Sequence, residues 1–69
     1  MMASFKSHVK KYRLLKEMTQ DELAKSVGIR RETIGRLEQA KYNPSLELAV
    51  KISLVLEVPI EELFQFDLE

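Results

Sequence analysis

The apolar residues of this 69-residue chain recur three or four positions apart along almost its whole length. That spacing puts them on one face of an α-helix, so the pattern predicts helices rather than a β-sheet. Only two glycines and two prolines interrupt the pattern. A chain of this length has room for one small core and no second one. We therefore expect a single, mostly helical domain over residues 1–69.

Local start and stop signals divide the pattern into helices. Thr19 followed by Glu22 forms a capping box that starts one helix, and Gly28 ends it because glycine readily adopts the left-handed conformation of a tight turn. Ser45 caps a later helix, and Pro59 begins the last one. The five expected helices span residues 5–16, 20–27, 30–39, 46–56 and 59 to 63 or 64.

After the fifth helix the rhythm of the sequence changes. Phe64, Phe66 and Leu68 alternate with polar residues, which is the period of a half-buried strand. We therefore expect a short strand in the C-terminal tail, residues 65–69. The inner stripe expected for the first helix is Phe5, Val9, Tyr12 and Leu15. The one expected for the fourth helix is Ala49, Ile52, Ser53 and Leu56.

Charge is distributed unevenly along the chain, although the formal net charge is zero. Residues 1–41 carry ten Lys or Arg against five Asp or Glu, a balance of +5. Residues 42–69 carry Lys51 against six acids, a balance of −5. The first part attracts phosphates and the second part repels them, which orients any complex with a nucleic acid.

The composition also excludes several classes of protein. The chain has no cysteine, so it has neither disulfides nor thiolate metal ligands. The N-terminal residues lack the apolar stretch of a signal peptide, and the longest uncharged apolar stretch, residues 52–56, is too short to cross a bilayer. We expect a soluble protein of the reducing cytoplasm with no membrane partner. With His8 as the lone histidine and no Gly-rich phosphate loop, we expect a surface histidine, no metal, no cofactor and no enzymatic activity.

Residues 20–39 have the spacing of a helix-turn-helix. Two short helices that meet at a steep angle need a small residue at their contact, here Ala24, and a flexible corner, here Gly28. The apolar residues that hold the second helix down are Ile29, Ile34 and Leu37. The opposite face of that helix is left to solvent and carries Arg30, Arg31, Glu32, Thr33 and Arg36. An exposed helix with three arginines fits the major groove of DNA.

These motifs resemble the Cro and phage-repressor family of helix-turn-helix regulators, also called the XRE family. The resemblance rests first on Thr19-Gln20-Asp21-Glu22-Leu23-Ala24, Val27-Gly28-Ile29 and Glu32-Thr33-Ile34-Gly35-Arg36-Leu37-Glu38. It continues through residues 41–49 and 60–64, and so covers residues 9–64. It implies an all-α, five-helix, lambda-repressor-like DNA-binding domain of the short stand-alone type, with a short C-terminal β-strand used in dimerisation.

The resemblance also implies roles for particular residues. Gln20 matches a family position that anchors a DNA phosphate at a helix start. The family's base-reading positions fall on Arg31, Glu32 and Thr33. A deeper position, which reaches a base or the backbone, falls on Arg36. The loop that grips the DNA backbone matches Lys41, Tyr42 and Asn43.

Four further positions bear on the stability of the domain. Arg13 and Glu38 match a family ion pair that joins the first helix to the third. Arg30 stands where the family usually has Ser or Thr as a helix cap, which costs about 1 kcal/mol of stability and adds a positive charge at the DNA. Glu17 replaces a glycine that is common before the second helix.

Each proposed DNA contact has a structural alternative. Arg30, Arg31 and Arg36 also suit an ordinary solvated helix face. Glu32 either accepts a hydrogen bond from cytosine N4 or favours the positive end of its own helix, and Thr33 contacts either a thymine methyl group or a phosphate. Gln20 also suits the first turn of a helix. Tyr42 and Asn43 also suit a role in shaping their loop, whereas Lys41 is expected to contact a phosphate.

The fourth helix carries more apolar residues than one buried face requires, namely Leu48, Val50, Leu54 and Val55. Scattered exposed aliphatic residues are one explanation, and a covered surface is the other. Together with the apolar tail, these additional residues of the fourth helix predict a homodimer. Its interface is formed by the fifth helix and the tail strand. The expected interface residues are Leu54, Val55, Ile60, Phe64, Phe66 and Leu68. Such a dimer presents two recognition helices to an inverted repeat in double-stranded DNA.

The function we expect is sequence-specific binding of double-stranded DNA by a transcriptional regulator, most simply a repressor. A second hypothesis is an interaction module, such as an antitoxin or the target of an anti-repressor, whose acidic and apolar C-terminal half binds another protein. DNA binding and a protein partner are compatible with each other. An enzyme is poorly supported because a chain this small has no room for a substrate pocket.

Overall fold

The computed structural model describes residues 4–67, which form five helices and one two-stranded antiparallel sheet. In chain order the elements are β1 (Ser4–Ser7), α1 (Val9–Leu15), α2 (Gln20–Val27), α3 (Arg31–Glu38), α4 (Leu46–Leu56), α5 (Ile60–Leu63) and β2 (Phe64–Asp67). The predicted helical class and the number of helices are confirmed. The sheet adds a feature that helical periodicity does not predict.

Short-range hydrogen bonds set the ends of the central helices. The hydroxyl of Thr19 accepts the backbone N–H of Glu22 at 3.0 Å, and the Glu22 carboxylate accepts the N–H of Thr19 at 2.8 Å. Gly28 ends α2 with a left-handed φ of 78°. The hydroxyl of Ser45 accepts the N–H of Leu48 at 3.1 Å and starts α4. The predicted bounds of α2 and α4 are therefore confirmed.

The first helix begins at Val9 rather than at Phe5, which corrects the predicted bounds. The residues before it form β1, which pairs with β2 so that Phe5 lies opposite Phe66. The four residues of β1 include one apolar side chain, Phe5, so they do not show the alternation that is typical of a strand. Leu15, expected on the inner stripe of this helix, is instead 70% exposed.

The C-terminal strand is confirmed, but it starts at Phe64 and its partner is the N-terminal segment of the same chain. The backbone N–H of His8 donates to the carbonyl of Leu63 at 2.8 Å, which ties the start of α1 to the end of α5. Leu68 and Glu69, the end of the predicted strand, lie outside the described residues.

The core is formed by one apolar cluster to which all five helices and β2 contribute. Its members are Val9, Leu23, Ala24, Val27, Ile34, Leu37, Leu48, Ala49, Ile52, Leu56, Leu63 and Phe64. Leu48 was expected on the outer surface of α4, and this was wrong because it is 6% exposed. Ser53, expected on the inner face, is half-buried and donates its hydroxyl to the carbonyl of Val58 at 2.6 Å.

Three residues other than glycine have a left-handed backbone within the described chain: Glu17, Ala40 and Glu57, with φ values of 57°, 59° and 61°. Glu17 therefore occupies a conformation that glycine adopts more easily, which explains why glycine suits this position. Glu57 ends α4 and accepts a hydrogen bond from the ammonium group of Lys16, which lowers the pKa of the Glu57 carboxyl group.

Candidate nucleic-acid interface

The two helices α2 and α3 pack against each other through a corner at Gly28. Ala24 is 1% exposed, and its small side chain allows the helices to approach closely. Ile34 and Leu37 are fully buried and hold α3 against α2 and the core. Ile29, in the corner, is half-buried against the same core. This packing fixes which face of α3 meets solvent.

The solvent face of α3 is cationic. Arg30, Arg31 and Arg36 are all exposed, and Thr33 is half-buried. Among the described residues, the one ion pair these arginines make joins Arg31 to Glu32 at 3.9 Å, and both side chains are more than half exposed. So loose and exposed a pair contributes little to stability. The guanidinium groups are therefore not held by the acidic half of the described chain.

Arg30 is the N-cap of α3 and makes no side-chain capping hydrogen bond. Its backbone is extended, with φ of −81° and ψ of 148°, as in an ordinary N-cap residue. The structure thus confirms that α3 lacks a side-chain cap, as expected from the sequence. The arginine side chain is exposed instead.

The loop after α3 lies next to the recognition face. The N–H of Lys41 donates to the carbonyl of Arg36 at 2.8 Å, which turns the chain back at the end of the helix. Tyr42 joins Arg30, Glu32, Thr33 and Arg36 in lining a shallow cavity of about 250 Å³. Lys41, Tyr42 and Asn43 are all exposed. The structure thus brings Tyr42 of the loop onto one surface with the expected DNA contacts of α3.

A buried ion pair lies behind this surface. Arg13 Nε donates to Glu38 Oε2 at 2.6 Å, and the two side chains are 7% and 4% exposed. Arg13 also donates from Nη1 to the carbonyl of Met18 at 2.7 Å, so the guanidinium binds both α3 and the turn that precedes α2. The same carboxylate accepts the side-chain amide of Gln20, with Nε2 and Oε1 3.0 Å apart.

Sequence reasoning missed the contact between Gln20 and Glu38. The two residues are the first of α2 and the last of α3, and only the angle between these helices brings them together. The sequence carries no periodic signal of this contact. A Cβ atom at Gly35 would lie 3.8 Å from the Gln20 amide nitrogen, so the glutamine side chain lies across α3 at this point.

The residues expected at a dimer interface differ in how far their side chains are exposed to solvent. Leu54 and Phe66 are 72% and 52% exposed, whereas Val55 and Ile60 are half-buried against the core. Phe64 is 5% exposed. Its ring meets the ring of Phe5 edge to face, with centroids 6.0 Å apart. Most of the ring is therefore covered within its own chain. Leu68 lies outside the described residues.

Residues 4–67 contain no group of three His, Cys, Asp or Glu side chains placed to hold a metal ion. The half-buried imidazole of His8 lies 3.0 Å from the side-chain oxygen of Gln65. No helix within these residues is both long and apolar enough to cross a membrane.

Comparison with known proteins gives a consistent result. A family model described as helix-turn-helix matches residues 9–63. A protein of Archaeoglobus fulgidus, described as an uncharacterized HTH-type transcriptional regulator, is 55% identical over 64 residues, which cover 93% of this chain and 90% of that protein.

Two solved structures are similar to about four fifths of this chain. The N-terminal DNA-binding domain of SinR from Bacillus subtilis is 32% identical, with a TM-score of 0.73, over 81% of this chain and 83% of that chain. A restriction-modification controller protein from Aeromonas hydrophila is 28% identical, with a TM-score of 0.74, over 81% of this chain and 85% of that chain.

Proposed function

Because this chain belongs to the XRE-type helix-turn-helix family and is a transcriptional regulator with a DNA-binding domain of that type, we propose that it binds specific sequences in double-stranded DNA and represses transcription. The observation that supports this proposal most is the solvent face of α3. Its three arginines are exposed and are not held by the acidic half of the described chain. Repression follows most simply if the bound protein occludes a promoter.

The first turns of α3 read the bases. Arg31 extends from the start of the helix and suits the two acceptors of a guanine edge. The Glu32 side chain is 72% exposed and is placed to accept a hydrogen bond from cytosine N4. Thr33 is half-buried, and its methyl group contacts a thymine methyl group. Arg36, one turn later, reaches a base or the backbone.

Contacts on both sides of α3 hold the DNA backbone. Lys41, Tyr42 and Asn43 contact phosphates from the loop, and Gln20 contacts a phosphate at the start of α2. Arg30 adds a positive charge at the corner between the helices. Because neutralised phosphates release counterions, affinity falls steeply as the salt concentration rises.

The regulator acts in the cytoplasm as a homodimer. Exposed Leu54 and Phe66, with the exposed parts of Val55 and Ile60, form the contact. A twofold axis then places the two α3 helices about 34 Å apart, which matches successive major grooves on one side of DNA. Sedimentation at micromolar concentration, with and without DNA, tests this. Dimers are expected, and a monomer in both conditions overturns the dimer.

A protein partner is the alternative occupant of the same apolar surface. It is favoured if the chain is monomeric alone and on DNA but copurifies with one protein in stoichiometric amount. DNA binding through α3 does not depend on which of the two occupants is correct.

Selection of DNA from a random pool tests the proposed function. Purified protein is incubated with random duplexes, and the retained fragments are amplified and sequenced over several rounds. We expect one motif to emerge with twofold symmetry and half-sites about one helical turn apart. Retained fragments that share no motif would contradict sequence-specific binding.

A further inference from the structure

The buried carboxylate of Glu38 accepts more hydrogen bonds than a simple ion pair requires. Arg13 supplies two, from Nε at 2.6 Å and from Nη2 at 3.3 Å. Gln20 supplies a third from its side-chain amide, at 3.0 Å. The Glu38 side chain is 4% exposed, so water does not compete for these contacts. Glu38 is therefore joined at once to α1 and to the start of α2.

The Gln20 amide is held in one place by this contact. One of its N–H groups is used on Glu38, and its nitrogen lies close above Gly35 of α3. A primary amide has a second N–H and an oxygen, and the described residues provide no further hydrogen-bond partner for either. Gln20 is half-buried, so the residue is in part accessible to solvent at the start of α2.

The charge of Arg13 makes this arrangement compatible with DNA. A lone carboxylate 3.0 Å behind the amide would repel a phosphate on the other side of it. Arg13 is within hydrogen-bond distance of both Glu38 oxygens, so the pair presents little net charge toward the surface. The amide then offers a neutral, oriented donor.

We propose that Glu38 is a positioning residue for DNA binding, which holds the Gln20 amide so that its second N–H donates to a phosphate oxygen. This inference rests on the proposed function and adds a role for the buried pair. Arg13 and Glu38 then determine how well Gln20 contributes to affinity, in addition to joining α1 to α3. Neither residue touches the DNA.

A cycle of variants on the selected duplex tests this role. Gln20→Ala is compared in three backgrounds: the parent, Glu38→Gln, and the paired replacement Arg13→Met with Glu38→Leu. Glu38→Gln keeps an oxygen that accepts the Gln20 amide, whereas the paired replacement removes the acceptor without leaving a buried charge unpaired. Thermal unfolding checks that each background is folded.

We expect Gln20→Ala to weaken binding about tenfold in the parent and in Glu38→Gln, because a hydrogen bond to a charged phosphate is lost. In the paired replacement the same change should weaken binding by about twofold or less, since a mobile amide contributes little. Lys41→Ala is the matched control, because its phosphate contact does not pass through Glu38. Its loss should be equal in all three backgrounds.

Equal losses from Gln20→Ala in every background would overturn the positioning role. The positioning role would also be overturned if Gln20→Ala did not weaken DNA binding in the parent. If Arg31→Ala still weakened binding in that case, the proposed function would remain supported. Failure of the parent to bind any duplex would instead overturn the proposed function. If the paired replacement does not fold, the Gln20 side-chain amide signal of the parent is followed by nuclear magnetic resonance. A shift on addition of the duplex is expected, and an unchanged signal at saturation overturns the proposal.

Discussion

Arg31 is the residue whose removal best separates base reading from phosphate binding. It lies at the start of α3, and its side chain is 55% exposed. We expect Arg31→Ala to weaken binding of the selected duplex by about 1–3 kcal/mol, because a bidentate contact to guanine is lost. Random duplexes should lose much less. Fluorescence anisotropy with both duplexes at one salt concentration measures the difference.

Lys41→Ala is the control for that experiment, since it should weaken both duplexes alike and lower the salt dependence by about one phosphate. If Arg31→Ala also weakened both duplexes equally, Arg31 would be a phosphate contact rather than a base reader.

The left-handed backbone of Glu17 predicts a stabilising substitution. With φ of 57°, the Cβ atom of Glu17 is sterically strained against the backbone, and glycine has no such strain. We expect Glu17→Gly to raise the free energy of unfolding by about 0.5–1 kcal/mol, after the greater freedom of glycine in the unfolded chain is subtracted. Lys51→Gly, at an exposed position inside α4, should lower it by about 1 kcal/mol. Urea denaturation of the two variants checks the prediction, and a loss of stability in Glu17→Gly would contradict it.

Individual residues were predictable where a local conformation or a family position defines them. The glycine expected at position 17 and the cap expected at position 30 both correspond to backbone geometry that the structure shows. The contact of Gln20 with Glu38 was not predictable, because it depends on how α2 and α3 cross. A single polar contact between two helices leaves no periodic signal in the sequence.

Among the helices, α3 lacks a stabilising side-chain cap at its start and has a positive charge there instead. Arg30 has the backbone of an N-cap but no capping side chain. We expect Arg30→Ser to raise the free energy of unfolding by about 1 kcal/mol through a new hydrogen bond to a backbone N–H of the first turn. The same change should weaken DNA binding, because one positive charge is removed from the interface.

Thermal unfolding and DNA titration of the Arg30→Ser variant should therefore move in opposite directions. Thr19→Ala is the reference for the size of a capping effect, since its cap is present and should cost about 1 kcal/mol when removed. A variant that gained stability and bound DNA as tightly as the parent would show that Arg30 is an ordinary solvated residue.

Elements with a clear local signal were predicted well, and an element without one was not. The bounds of α2 and α4 follow from Thr19, Gly28 and Ser45, each of which acts within a few residues. The strand β1 was read as the beginning of α1 because its four residues include only one apolar side chain and show no alternation. Leu48 was placed on the wrong face because α4 has apolar residues on more than one side, so the pattern does not single out the buried one.

For the whole molecule, the exposed side of α4 offers a matched test of the proposed dimer. Leu54 and Leu46 are 72% and 78% exposed on the same helix, and only Leu54 belongs to the proposed interface. We expect Leu54→Gln to raise the dissociation constant of the dimer about tenfold, because an apolar contact is replaced by a polar one. Leu46→Gln should leave it unchanged. Analytical ultracentrifugation measures both, and equal effects of the two variants would remove Leu54 from the interface.

The dimer was predicted in part from residues that the structure places differently. The sequence pattern assigned Phe64 to the interface, whereas its ring is mostly covered by the chain itself. Apolar alternation shows that one face of a strand is covered, but not whether the cover comes from the same chain or from another. This ambiguity limits what a single sequence predicts about assembly.

Recognition of a particular DNA sequence by the cationic face of α3 is the basis of the proposed function. Its most direct test is the ratio of the dissociation constants for a scrambled duplex and the selected duplex, measured at one near-physiological salt concentration. We expect the selected duplex to bind at least about a thousandfold more tightly than the scrambled one. A ratio near one, with both affinities falling alike as salt is added, would contradict it.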